Sequence, residues 1–201
     1  MTAAANAPAC PVPPRAAPQV VACALPLASR IQTFTAGADF MDAYVVEVLQ
    51  PQRSAMEHLL VLLQRTPAWV ERLMDLRNRV VVWFGLRHAG NWRAGLKPAG
   101  AAWQPGDRVG IFTLMSQDED EVIVGDNDRH LRVLISLRRL PAGGGQPARV
   151  VISTVVHLHN LLGRLYMLPV TPAHRVIAPA VLAQVNDAQA VAAPGTGSAV
   201  P

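Results

Sequence analysis

The sequence predicts an α+β domain: an antiparallel β-sheet with two helices after the first strand and a long C-terminal helix. Three observations carry this. Runs of β-branched residues alternate between 109 and 158, joined by polar connections too short for any but antiparallel neighbours. A capping box and a Thr-Pro pair open two helical patterns between 54 and 85. An apolar stretch with its own polar N-cap then closes the patterned region.

The first strand is Asp39 to Val48, where Phe40, Tyr44, Val46 and Val48 share one face and Asp42 falls among them. In Ser54-Ala-Met-Glu57 the serine oxygen takes an orphan amide and the glutamate reaches back, so a helix starts there and runs to about Arg65. Thr66 is expected to cap a second helix with Pro67 at its first position. Its apolar residues Trp69, Val70, Leu73, Leu76, Val80 and Phe84 recur every three or four positions, opposite Glu71, Arg72, Asp75 and Arg79, and Gly85 suits its stop. Residues 87–107, with Trp92 and Trp103, keep no period and read as a long loop of the kind that often carries function.

Three strands follow in the sequence reading: Val109 to Ser116, Glu121 to Gly125 and Arg129 to Leu140. The last puts Leu131, Val133, Ile135 and Leu137 on one face and Arg132, Ser136 and Arg138 on the other, which is expected to be wet. After a glycine-rich turn, Arg149 to Leu158 turns Val150, Ile152, Thr154 and Val156 inward. That makes five strands. The final helix begins near Asn160, and Pro169, Pro172 and Pro179 are expected to break it.

At 201 residues the chain suits one domain, read as 30–185, between an Ala/Pro-rich disordered leader over 1–28 and a disordered tail over 186–201. A composition 51% hydrophobic and 16% charged belongs to a folded protein. The net charge is +4, but the arginines are scattered rather than striped, so no nucleic-acid partner is expected. Cys10 and Cys23 precede the patterned region and cannot staple it. Charges and prolines within 161–185 argue against a membrane span, and the leader lacks a secretory pattern, so a cytoplasmic location is expected.

No nucleotide-binding, zinc or hydrolase signature is present and no cofactor or metal is expected. Asp42 sits where desolvation favours the neutral acid, a property of acid-base groups, unless a salt bridge to Arg77 or Arg79 compensates it. Asp126-Asn-Asp128 with His130 reads as a hairpin turn before it reads as a cation loop, and His157 and His159 lack further ligands. Tyr166 and His174, eight residues apart, can share a helix face and converge with Asp42 and Thr154; the alternative makes Asn160 a cap and the other two structural.

As a set, Gly37-Ala-Asp-Phe-Met-Asp42, Thr66-Pro-Ala-Trp69, Leu76-Arg-Asn78, Gly106-Asp-Arg-Val-Gly110, Gly125-Asp-Asn-Asp-Arg-His-Leu131 and Thr154-Val-Val156, followed by Asn160, Gly163, Tyr166 and His174, resemble the bacterial domain-of-unknown-function family 2867. That family occurs alone or appended to nucleotide-sugar-epimerase-like reductases, and the resemblance brings no reaction with it. The order of elements also resembles the START or Bet v 1 helix-grip fold, whose sheet wraps a helix around an apolar cavity, although five strands fall short of its seven. The leading expectation is a module binding a small apolar or amphipathic molecule through Asp42, Arg77, Thr154, Asn160, Tyr166 and His174. The alternatives are an enzyme or accessory working with a reductase partner, and a protein-interaction domain presenting Trp92 and Trp103.

Overall fold

The alternating run after Asp39 becomes β2 (Phe40–Glu47), and the three downstream runs become β4 (Phe112–Gln117), β5 (Glu121–Asn127) and β6 (Leu131–Leu140), followed by β7 (Arg149–Leu158). The computed structural model describes residues 18–83, 96–97 and 101–186. Two short strands complete the sheet, β1 (Val21–Ala22) and β3 (Arg108–Val109), giving seven antiparallel strands in the order β1-β2-β7-β6-β5-β4-β3.

The count of five is thereby corrected, for two physical reasons. The segment expected to be one strand from Val109 to Ser116 is a hairpin, because Gly110 adopts φ 63° and Val109 turns back onto Phe112. β1 lies inside the stretch read as leader and pairs Val21 with Val45 and Ala22 with Tyr44; a two-residue edge strand has no periodicity to betray it.

The two helices after β2 are α1 (Ala55–Gln64) and α2 (Ala68–Trp83). The capping box closes as expected: Ser54 Oγ accepts from the Glu57 amide at 3.2 Å, and Glu57 takes the Ser54 amide at 2.7 Å. Thr66 does not cap α2. Its buried hydroxyl donates backward to the Leu62 carbonyl at 3.0 Å at the end of α1, while the Pro67 carbonyl accepts the Val70 and Glu71 amides at 2.9 and 3.2 Å.

The terminal helix α3 runs unbroken from Leu161 to Leu182, with Asn160 as its N-cap. The expected break does not occur. Each proline removes one donor, and the carbonyls left over belong to Leu165, Leu168 and Arg175, all exposed, where water can satisfy them. Gly163 is obligatory near its start, since a Cβ there would lie 2.3 Å from the His130 carbonyl oxygen.

The main core lies on the inner face of the sheet, where Val46, Val122, Val124, Leu137 and Val150 meet Leu59, Leu62 and Leu63 of α1 and Val181 and Leu182 of α3. α1 and α3 pack directly on the sheet, whereas α2 stands farther off. The outer face was expected to be wet and is covered along its middle. Ile123, Leu134 and Val155 pack there beneath Ile31 and Phe34 of a 3-10 turn over Arg30–Phe34, and His157 Nε2 donates to the Phe34 carbonyl at 2.8 Å. Residues 1–17, Phe84, Gly85, Trp92 and the tail beyond Asn186 lie outside the described residues.

Under that turn sits Glu121, its side chain 1% exposed. Ser29 and Ser136 donate hydroxyl hydrogens to Oε1, the latter at 2.6 Å. The Arg30 amide donates to Oε2 at 2.9 Å and the Arg138 guanidinium at 3.1 Å. Burial pushes the carboxyl up, but the two serines, the amide and the Arg138 charge outweigh it and hold the group below its ordinary value. The charge is locked by five donors, counting Arg30 Nε at 3.4 Å.

Candidate functional site

Between the inner face of the sheet and the three helices lies a cavity of about 600 Å³. Sheet side chains such as Val133, Ile135 and Ile152 form its floor, Leu73 and Met74 of α2 one wall, and Val170 and Ile177 of α3 another. Leu76 and Leu165 line it while being 56% and 54% exposed, which places its mouth between α2 and α3. The lining is overwhelmingly apolar, so each polar group in it stands out.

The principal polar group is built by register. Asp42 of β2 and Thr154 of β7 are cross-strand partners pointing inward, and α3 lowers His174 onto the pair. Nε2 of His174 lies 3.2 Å from Asp42 Oδ1 and 3.2 Å from Thr154 Oγ1, and Phe40 meets the imidazole edge-on at 5.7 Å between centroids. A carboxylate has no proton to give, so Nε2 carries the hydrogen and Asp42 fixes the ring's tautomer and orientation. Asp42 Oδ2 is buried without a hydrogen-bond partner among the described residues. Burial raises the Tyr44 phenol, and the Asp42 charge raises it further.

A second polar position lies two helical turns away. Arg77 Nε donates to the Tyr166 hydroxyl at 3.0 Å, its guanidinium carbon 5.5 Å from the ring centroid, and both side chains line the cavity. Asp126 and Asp128 also border the space. Of the residues singled out in the sequence, Arg77, Thr154, Tyr166 and His174 line the cavity, with Asp42 directly behind His174. Asn160 does not join them: Oδ1 accepts the Gly163 amide at 3.0 Å and Nδ2 donates to the Arg129 carbonyl at 3.0 Å, which makes it a helix cap. The ion pair of Asp42 with Arg77 or Arg79 is replaced by the pairing with His174.

Other expectations resolve locally. Asp128 is a turn residue, its Oδ1 accepting the His130 and Leu131 amides at 2.6 and 2.9 Å. His159 meets the Asp128 carbonyl at 3.0 Å, and no cluster of three metal-ligating side chains exists among the described residues. Trp103 is buried, with Lys97 over its ring, so it cannot serve as an exposed anchor. Sequence reasoning missed Glu121 and His58. The signal for Glu121 was present, because it shares the outer face of its strand with Ile123, opposite Ser136 and Arg138. For His58, inside a leucine-rich helix, only its position on the buried face gave notice.

The arrangement defines a class: an α+β protein whose antiparallel sheet and C-terminal helix enclose an apolar cavity with one partly buried Asp-His pair. Residues 34–181 match the family described as Protein of unknown function (DUF2867), and the chain belongs to that family. No curated protein and no solved structure gives a match. Among the described residues no helix is long and apolar enough to cross a membrane.

Proposed function

We propose that this chain is a binding module for one small apolar or amphipathic molecule, held between the sheet and α3 and entering past α2. The observation that carries this reading is the cavity itself. Its 600 Å³ falls inside the roughly 300–1,000 Å³ that ligand pockets occupy, and it combines apolar walls with a few placed polar groups. A tightly packed protein does not keep such a volume for stability, since unfilled space forfeits contacts on every side.

A second reading, acid-base chemistry alongside a reductase, draws on the Asp42–His174 pair. Against it stands the position of Tyr166, which is tied to Arg77 and separated from His174 by eight helical residues, about 12 Å of rise. Tyr166 therefore does not join Asp42 and His174 as an acid-base group.

Native mass spectrometry of freshly purified protein, followed by extraction, tests the binding reading. The expected result is a stoichiometric small molecule, or 1:1 uptake of 1-anilinonaphthalene-8-sulfonate by protein that emerges empty. Ala173 lines the cavity, so Ala173→Trp should abolish that uptake while leaving the fold intact. An empty protein that takes up no fluorophore overturns the reading, as does uptake unaffected by Ala173→Trp.

A further inference from the structure

We infer that the ligand carries a hydrogen-bond donor, a hydroxyl on an otherwise apolar skeleton, which is received by Nδ1 of His174. This rests on the cavity reading above and specifies its chemistry. Nε2–H of His174 is committed to Asp42 and Thr154. In the neutral ring the other nitrogen is then a lone-pair acceptor, and Nδ1 makes no hydrogen bond among the described residues. His174 lines the cavity with its side chain 23% exposed, so the vacant acceptor belongs to the cavity surface and not to the packed core.

The complementary group follows from that polarity. A ketone, ether or ester oxygen brings only lone pairs and would oppose Nδ1, whereas a hydroxyl brings a hydrogen. Asp42 sharpens the preference: by accepting at Nε2 it holds the hydrogen there and leaves the lone pair on Nδ1. The surroundings strengthen the bond that forms. The ring is flanked by Phe40 within an apolar lining, and a hydrogen bond in such surroundings counts for more than one in solvent. An alcohol or phenol meets this requirement.

A matched pair of probes separates this inference from the cavity reading: 2-naphthol and 2-methoxynaphthalene, alike in shape but differing in the donor. Calorimetric titration of the wild type should show 2-naphthol binding about tenfold more tightly, the discrimination expected of one hydrogen bond. In His174→Leu the preference should vanish while 2-methoxynaphthalene still binds. Asp42→Asn, nearly isosteric, should reduce the preference without removing the site. Nitrogen-15 NMR of the wild type supplies a readout free of folding effects: the His174 Nδ1 resonance should have the unprotonated position and move with 2-naphthol but not with its methyl ether. Equal affinities, or a preference that survives His174→Leu, overturn the inference while the cavity reading stands. Failure of both aromatics to bind overturns both.

Discussion

Two acidic side chains shielded on opposite faces of one sheet are treated in opposite ways. Glu121, on the outer face, is enclosed by Ser29, Ser136, Arg30 and Arg138, and both of its oxygens are occupied. Asp42, on the inner face, relies on His174 and leaves Oδ2 unpaired. A buried charge costs several kcal/mol unless partners replace its water. A closed shell such as that of Glu121 is what structure alone requires. The open shell of Asp42 is stable only as part of something larger, and the imidazole it orients faces the cavity between the sheet and the helices.

The sharpest way to break this contrast is to remove Glu121. Glu121→Ala leaves the Arg138 guanidinium without its carboxylate, although Arg30 keeps Asp118, and frees the 3-10 turn from the sheet, so urea unfolding at pH 7 should show a loss of about 3–5 kcal/mol. Fluorophore uptake by the protein that remains folded should not change. The pH dependence has a definite sign. The folded-state value of Glu121 is depressed, so its contribution is complete above the ordinary 4.5 and is lost as the pH falls through the folded value. A loss of cavity binding in folded Glu121→Ala would mean that the two faces are coupled.

His58 offers a third treatment of a buried titratable group. It is 1% exposed, and neither ring nitrogen has a partner among the described residues. Burial, reinforced by Arg53 and Arg139, lowers its pKa from 6.5 to about 4. The unfolded chain therefore takes up the proton first. Stability attributable to this group is complete above pH 6.5 and falls by about 3 kcal/mol as the pH drops to 4. In His58→Leu, denaturation curves recorded between pH 7 and 4.5 should lose that slope. Persistence of the slope would assign it to another group.

The coupling of Asp42 to His174 is the next smaller effect. His174→Leu leaves a carboxylate without its donor, and a cycle completed with Asp42→Asn should give an interaction energy of about 1–3 kcal/mol by urea unfolding. An interaction near zero would show that the pair contributes nothing to docking α3 on the sheet.

The legible parts of this protein were those written in local chemistry. The capping box at Ser54, the ten-residue strand from Arg149 to Leu158 and the N-cap at Asn160 all stand where their residue types placed them. Alternation also put Asp42 and Thr154 on the inner face, and helical spacing brought His174 to the cavity. What sequence did not yield was set by distant partners. β1 exists because the edge of β2 accepts it, and the outer face is dry because residues 29–34 happen to cross it. Asp42 was paired with the wrong cation for the same reason: charge suggested an arginine, but the arrival of α3 over β2 and β7 decides the partner. Trp103 seemed an exposed loop residue until a tertiary contact buried it.

Asn160 supplies the smallest effect and a check on where the site ends. It was expected among the ligand contacts, yet both ends of its amide are spent, one on the Gly163 amide and one on the Arg129 carbonyl. Asn160→Ala should therefore cost about 1 kcal/mol, the ordinary value of an N-cap, visible as a small fall in the urea midpoint. Because α3 is also held by His174 on the sheet and by Val181 and Leu182 in the core, its C-terminal half should stay in place when the cap is lost. Affinity for 1-anilinonaphthalene-8-sulfonate should then remain within about twofold of wild type, since the loss of a cap frays only the first turn. A larger fall in affinity than in stability would extend the site to the first turn of α3, where Leu162 and Leu165 stand at the cavity wall.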